Sequence, residues 1–235
     1  MMRIVSWNMR KNKKAWPYFF ESLNPDIALL QESSPLHDDF KFNIVTQNVK
    51  KNLNNSILFK NSQPEQLLIE DQHQMGVLAS EFKNPSNKIF LLSIYGNLSF
   101  TGTLDYVLLE TIEFFVNEMR NKFQAQDIII SGDFNMDRRM DENPTSSRFS
   151  KKGETRHADF FDGILNLGFQ DCLRKFHSLP IQTYRHNRGT YPWELDHMFV
   201  TAELHERLKS ISVFVDDQII SLSDHNPIVA DFEPK

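Results

Sequence analysis

Cysteine is almost absent from this sequence, and long apolar segments are missing altogether. Cys172 is the single cysteine among 235 residues. The chain therefore cannot form an internal disulfide, and a reducing compartment, the cytoplasm, is the simplest location. No long apolar stretch stands ahead of a small-residue cleavage site near the N-terminus, which argues against a signal peptide. The longest apolar run, IFLLSI at 89–94, is far too short to span a bilayer, so we expect no membrane association.

An excess of positive charge is lacking as well. The formal net charge is −5, from 26 Lys and Arg against 31 Asp and Glu. This balance argues against a protein that coats nucleic acid by bulk electrostatic attraction. It leaves room for an enzyme that acts on phosphates, because such an enzyme can place acids at a metal site and bases around it.

What the chain does contain is many short strands and a few helices. Its length predicts one large domain over residues 1–235, since no repeat or linker divides it. Helical spacing and stop signals predict helices at 13–23, 103–123 and 156–167, the last ending at Gly168. Short apolar, β-branched runs predict strands at 3–7, 27–31, 43–46, 56–59, 76–80, 89–95, 128–131, 197–201, 211–215 and 228–232. This pattern indicates two packed sheets with helices outside them.

The stretch SGDFNMD, from Ser131 to Asp137, follows one of these strands. In an extended chain, Asp133 and Asn135 would point to the same face, while Phe134 would point into the protein. A carboxylate and an amide would then converge on one spot. Asp and Asn also favour turns, so the stretch by itself is better explained as a loop start.

Other polar residues stand where predicted strands end, and rigid strand ends open to solvent are where functional sites are often built. Each has a simpler explanation: Asn8 as a turn residue, Glu32 as a loop cap, Tyr95 as a ring at the core edge. A carboxylate in an apolar stretch is harder to explain structurally, because a buried charge needs a partner. The set comprises Asn8, Glu32, Tyr95, Asn97, Asp133, Asn135, Asp196, Asp224 and His225.

The motifs WNMR, LLQES, SIYGN, SGDFNMD, ELDHMFV and SDHNPI carry a family resemblance. In this order, from residue 7 to residue 228, they resemble those of the endonuclease/exonuclease/phosphatase superfamily, the DNase I-like and AP-endonuclease-like metal-dependent hydrolases. The resemblance implies an α/β fold, a four-layer sandwich of two mixed β-sheets flanked by helices. It also implies hydrolysis of a phosphoester with a divalent metal ion.

The resemblance implies a role for each site residue. Glu32, Asp224 and Asn8 would form an all-oxygen site for Mg²⁺ or Mn²⁺. In the catalytic group, Asp133 would take a proton from the attacking water, and Asn135 would fix water or phosphate. His225 would contact the phosphate, and Asp196 would support the imidazole of His225.

Tyr95 completes the predicted catalytic group and matches the tyrosine that AP-endonuclease-like members carry where DNase I-like members have a histidine. Two positions depart from the family pattern. Asn97 follows Tyr95 after only Gly96, and His197 stands where many relatives carry Tyr. We interpret His197 as a core histidine outside the site.

Basic clusters adjoin the motifs and suggest contacts to a phosphate backbone, although each alone would fit a solvated surface. Aromatic rings in TYRHNRGTYPWELD could stack on a base or line a sugar pocket, or could equally pack internally. The clusters are Arg10–Lys11 with Lys13–Lys14, Arg138–Arg139, and Arg148, Lys151, Lys152 and Arg156. The substrate-binding candidates are Arg10, Arg138, Arg139, Lys151, Lys152, Tyr184 and Trp193.

These features predict a nuclease that hydrolyses DNA or RNA by water attack. Two alternatives remain open: a phosphatase or phosphodiesterase acting on small nucleotides or inositol phosphates, and a catalytically inactive binding module on the same fold. The intact set of acids and His225 argues against the module. The sequence leaves the oligomeric state open.

Overall fold

Strands dominate the described structure. The computed structural model describes residues 1–36, 42–50, 53–60, 65–67, 76–84, 87–96, 104–142, 155–186 and 191–235. The strands are β1 (Met2–Asn8), β2 (Ile27–Ser33), β3 (Phe42–Lys50), β4 (Leu53–Lys60), β5 (Glu65–Gln66), β6 (Val77–Asn84), β7 (Asn87–Tyr95), β8 (Asp127–Asp133), β9 (Phe169–Asp171), β10 (Asp196–Thr201), β11 (Leu208–Val213) and β12 (Ile228–Phe232). The helices are α1 (Ala15–Tyr18), α2 (Leu104–Phe123), α3 (Arg156–Asn166), α4 (Cys172–Phe176), α5 (Ala202–Arg207) and α6 (Asp217–Leu222).

Each predicted strand is present, most with longer bounds than expected. The run at 211–215 is an exception, because β11 ends at Val213. The helix predicted at 13–23 begins at Ala15 and changes after Tyr18 into a π-helical turn, Phe19–Leu23. The short elements β5, β9, α4, α5 and α6 were not predicted, since a segment of two to six residues shows too little periodicity to be recognised.

Two six-stranded mixed sheets form the centre of the fold. One has the order β11-β12-β1-β2-β4-β3 and the other β5-β6-β7-β8-β10-β9. Within each sheet one central pair is parallel, β1 with β2 and β7 with β8. The other described neighbours run antiparallel.

Side-chain alternation along the strands separates three apolar layers. In β2, Ile27 and Leu29 face the other sheet, whereas Ala28 and Leu30 face the layer of α1 and α6. In β8, Ile129 faces the first sheet, and its neighbours on either side pack under α2 and α3. The fold is therefore the predicted four-layer α/β sandwich, helices on two sheets on helices. None of the described helices is long and apolar enough to cross a membrane.

Candidate active site

The predicted site residues converge at the sheet edge where the two parallel pairs end. β1 ends at Asn8 and β2 passes Glu32 in the first sheet, while β8 ends at Asp133 in the second. Parallel neighbours bring their carboxyl ends to the same edge. A hydrogen bond of 2.9 Å from Asn8 Nδ2 to Asp133 Oδ2 joins the two sheets there.

Asp133 lies at the centre of the site and is buried. Asn135 donates its backbone N–H to Asp133 Oδ1 at 2.9 Å, and its Nδ2 reaches Asp133 Oδ2 at 3.2 Å and Gly96 O at 2.6 Å. The two side chains do converge, but the strand stops at Asp133, and Asn135 has a φ of +55°. A turn therefore produces the convergence that strand alternation was expected to produce. Phe134 points into the core, as predicted.

Asp196 and His225 form a buried pair beside Asp133. Asp196 opens β10 directly opposite Asp133 in the antiparallel register. His225 Nδ1 lies 2.8 Å from Asp196 Oδ2, and His225 Nε2 lies 3.8 Å from Asp133 Oδ2. The second distance is too long for a hydrogen bond. The imidazole is thus held from one side by Asp196 and presents Nε2 towards Asp133.

The three groups shift one another's charge states. Burial raises the pKa of Asp133 to about 7, with a further rise from Asp196, while His225 and the hydrogen bond from Asn8 act in the opposite direction. Burial by itself would lower the pKa of His225, but Asp196 and Asp133 outweigh it and raise that pKa to about 9. At neutral pH His225 is therefore a cation held between two carboxyl groups.

Glu32 and Asp224 stand nearer the solvent. Both are half-buried. Tyr95 donates its hydroxyl to Glu32 Oε1 at 2.8 Å, and burial raises the pKa of Tyr95. The guanidinium of Arg10 lies 3.6 Å from Asp224, between Arg10 Nε and Asp224 Oδ2. Tyr95 is therefore a support for Glu32 rather than an isolated ring at the core edge.

Unfavourable backbone conformations concentrate around the site. Left-handed φ values are uncommon outside glycine and are often retained at functional sites. Among the described non-glycine residues, two with positive φ end helices, Asn24 and Gln124. The others surround the site: Arg10 (+49°), Lys11 (+58°), Glu32 (+48°) and Asn135 (+55°).

The donor set fits a hard divalent cation. Carboxylate and amide oxygens are the ligands that Mg²⁺ and Mn²⁺ prefer. Asp196 Oδ1 is buried and has no hydrogen-bond partner among the residues that the structure describes, which is unusual for a carboxylate oxygen. Ligand atoms of Asp133, Asp196 and His225 lie within 4.8 Å of one another, a group that could hold an ion only with His225 in its neutral form. This group adjoins the predicted set of Glu32, Asp224 and Asn8 through the Asn8–Asp133 bond.

The predicted substrate-binding residues differ in where they lie relative to the site. Tyr184 packs its ring against His225, with 4.7 Å between the ring centroids, and forms a backbone bridge with Trp193. Arg10 is exposed beside Asp224. Lys151 and Lys152, like Arg148 and Asn97, lie outside the described residues.

Arg138 and Arg139 already have acidic partners. Arg138 pairs with Asp162 at 2.6 Å. Arg139 Nε lies 3.0 and 3.1 Å from the two oxygens of Asp137, and its guanidinium stacks 5.0 Å from the ring centroid of Tyr191. These pairs reduce the positive charge that the two arginines present to a phosphate.

Sequence reasoning missed the residue that holds Asp196. Thr183 is fully buried, and its hydroxyl oxygen accepts the backbone N–H groups of Leu195 and Asp196, both at 2.9 Å. A lone threonine in a loop carries no sequence signal for this role. His197, interpreted as a core histidine, is buried among phenylalanine rings, with Nε2 2.9 Å from Met136 O.

The fold is the DNase I-like fold, two mixed sheets with flanking helices. Solved structures with this fold match nearly the whole chain. The 3′ phosphatase NExo from Neisseria, solved with a product DNA hairpin, is 22% identical with a TM-score of 0.74, over 99% of this chain and 100% of that one. An AP endonuclease from Archaeoglobus fulgidus is 20% identical with a TM-score of 0.73, over 99% and 100% of the two chains.

An AP endonuclease from Leishmania major is 17% identical with a TM-score of 0.74, over 97% of this chain and 86% of that one. No protein-family profile matches the sequence, and no curated protein matches it. At these identities the likeness establishes the fold.

Proposed function

We propose that this chain is a divalent-metal-dependent phosphodiesterase of the nuclease type, with DNA as its substrate. The observation that carries the proposal is the buried arrangement of Asp133, His225 and Asp196 at one sheet edge, with 2.8 Å between the paired His225 and Asp196 atoms. An acid with a raised pKa beside a charged imidazole suits proton transfer next to a phosphate. The solved structures of the same fold support the choice of DNA, since they include AP endonucleases and a phosphatase with a DNA hairpin.

In this proposal Asp133 accepts the proton of the attacking water. A carboxylate with a pKa near 7 is a stronger base than an ordinary one and still ionises at neutral pH. Asn8 and Asn135 hold its two oxygens in place. His225, positively charged, binds a phosphate oxygen through Nε2, and Asp196 keeps its ring oriented and charged.

Glu32, Asp224 and Asn8 would hold the metal ion, Mg²⁺ or Mn²⁺. The ion, when bound, would polarise the phosphate and stabilise the leaving oxygen. We favour this set over Asp133, Asp196 and His225, because His225 Nδ1 and Asp196 Oδ2 already bind each other. Tyr95 would orient Glu32 through its hydroxyl.

Metal dependence has a direct test. Glu32→Gln removes a ligand charge and keeps the side-chain shape, so hydrolysis should fall by orders of magnitude while the unfolding midpoint stays close to that of the wild type. Excess EDTA should stop the wild-type reaction, and Mg²⁺ or Mn²⁺ should restore it. Full activity in EDTA would contradict the proposal. Absence of turnover with every phosphoester and metal would instead favour a binding module.

A second candidate, hydrolysis of a small phosphoester, is favoured by one observation. Arg138 and Arg139, expected to contact a polymer backbone, are paired with Asp162 and Asp137. A nuclease that relies on phosphate contacts should lose affinity steeply with salt, by about 0.7–0.9 log units per log unit of salt for each contact. A small-molecule phosphatase should be nearly insensitive to salt.

Measuring kcat/KM for an oligonucleotide and for a small phosphodiester at two salt concentrations distinguishes the two. Reversing Lys151 and Lys152 to Glu should weaken oligonucleotide hydrolysis and flatten its salt dependence. The matched control reverses Lys83 and Lys209, exposed lysines whose strands place them at the opposite edge of the sheets. Equal effects of the two double reversals would refute a local phosphate contact.

Two further expectations belong to this proposal. We propose that residues 1–235 act as one domain, because both sheets contribute to one site through the Asn8–Asp133 bond. We also propose a cytoplasmic location, supported by the single cysteine, which is buried and free.

A further inference from the structure

The turn after β1 has an unfavourable backbone that is anchored on the candidate metal site. Arg10 and Lys11 are both left-handed, with φ of +49° and +58°. Two successive residues other than glycine rarely adopt this conformation. The turn is held by two hydrogen bonds, from Arg10 N to Asn8 Oδ1 at 3.0 Å and from Lys11 N to Glu32 O at 2.8 Å.

This backbone aims the Arg10 side chain at the third candidate ligand. Arg10 Nε lies 3.6 Å from Asp224 Oδ2, and the Arg10 side chain is 54% exposed while that of Asp224 is 20% exposed. The two-residue turn thus contacts Asn8, Glu32 and Asp224. The Arg10 guanidinium is therefore a positive charge of the protein itself that lies next to Asp224, a carboxylate proposed to bind the divalent ion.

We propose that Arg10 is a built-in competitor of the metal ion, balancing Asp224 in the metal-free protein and displaced when a divalent cation binds. The inference rests on the proposed function, since it concerns the same site. Two cations cannot share one carboxylate edge without repelling each other. Arg10 can leave, because its long side chain is half-exposed and reaches solvent.

Displacement gives Arg10 a second role. A guanidinium released from Asp224 keeps its charge and its planar set of donors, which suit a phosphate oxygen. It remains tethered by the turn beside the site. Metal binding and phosphate binding would therefore each increase the affinity for the other, because a metal ion that binds Asp224 releases Arg10 to bind the phosphate of the substrate.

The test measures Mn²⁺ binding to the DNA-free protein by electron paramagnetic resonance at constant ionic strength. Arg10→Gln removes the competing charge, and Arg10→Gly does so while also suiting the left-handed backbone. Both variants should bind Mn²⁺ about three- to tenfold more tightly than the wild type. The lower end corresponds to the loss of an exposed ion pair between Arg10 and Asp224, and the upper end adds the repulsion between the guanidinium and the divalent ion. Arg10→Lys keeps the charge and should stay within about twofold.

The matched control is Lys14→Gln, which removes an exposed positive charge from the same segment, four residues along the chain from Arg10. It should change the Mn²⁺ affinity by less than about twofold, because exposed charges without close contact are largely screened. Unchanged or weaker Mn²⁺ binding in both Arg10→Gln and Arg10→Gly would overturn the inference and leave the proposed function intact. Absence of Mn²⁺ binding to the wild type and all variants would overturn both.

Discussion

Replacing Thr183 with Val should damage stability and catalysis together, although the substitution nearly preserves shape. The Thr183 hydroxyl accepts two buried backbone N–H groups, from Leu195 and Asp196, each at 2.9 Å. Valine offers no acceptor, and each buried donor left without a partner costs about 1–3 kcal/mol. For the two donors together, we expect Thr183→Val to lower the free energy of unfolding by about 2–6 kcal/mol.

The same change should reduce turnover, because the Asp196 backbone holds the carboxylate that orients His225. Denaturant unfolding followed by circular dichroism measures the first effect, and kcat at saturating substrate, on the folded fraction, measures the second. Thr183→Ser is the control: it keeps the hydroxyl and loses one methyl, so it should cost only about 1 kcal/mol.

Thr183→Val with wild-type stability would refute this account of the loop. Equal losses in Thr183→Val and Thr183→Ser would assign the effect to packing of the methyl group and remove the hydrogen bonds from the explanation. The backbone bonds of Thr183 to Trp193 and Asn226 are common to both variants, so they cannot cause a difference.

Three other changes test separate parts of the structure. Asp133→Asn should keep the protein folded and lower kcat by about 10²–10⁴-fold, the range for loss of a general base; a near-normal rate would reject Asp133 as the proton acceptor. Gly132→Ala should prevent stable folding, because φ is +152° and an added Cβ would lie 2.0 Å from Ile94 O; a soluble variant with an unchanged unfolding midpoint would contradict the tight approach of β7 and β8. Asp231→Asn should cost about 0.2–1 kcal/mol at pH 7, since the hydrogen bond from half-exposed Arg3 lowers the pKa of Asp231. A lowered pKa stabilises the fold above the ordinary aspartate range and loses that effect as the pH falls through the folded-state pKa, so unfolding curves of Asp231→Asn and wild type should converge in acid.

The sequence alone determined ten of the twelve described strands, the fold class and the identity of most residues gathered at the site. Strand 228–232 was predicted with its observed bounds, and the fold matches the four-layer sandwich expected. Periodicity of two along a strand and turn residues at its end are local properties, readable from neighbours in the chain. The motifs around Asp133, Asp196 and His225 marked residues that the structure brings together.

The tertiary structure decided what each of these residues touches. Asp133 and His225 are 92 positions apart in the numbering, and only the pairing of β8 with β10 and the packing of the two sheets set their 3.8 Å separation. Arg139 is predicted to contact phosphate, but its guanidinium also binds Asp137, which caps the 3₁₀ turn Arg138–Met140, and the distant Pro192 O at 2.7 Å.

Thr183 and the turn at Arg10 are the clearest examples of contacts that the sequence alone does not predict. Thr183 acquires its role from backbone N–H groups of Leu195 and Asp196 that a loop brings next to it, and backbone donors look identical in every sequence. The left-handed turn at Arg10 and Lys11 donates its two N–H groups to acceptors from two different strands, Asn8 and Glu32. Such contacts depend on long-range packing, which local sequence patterns do not encode, and they decide where the charges of this site are placed.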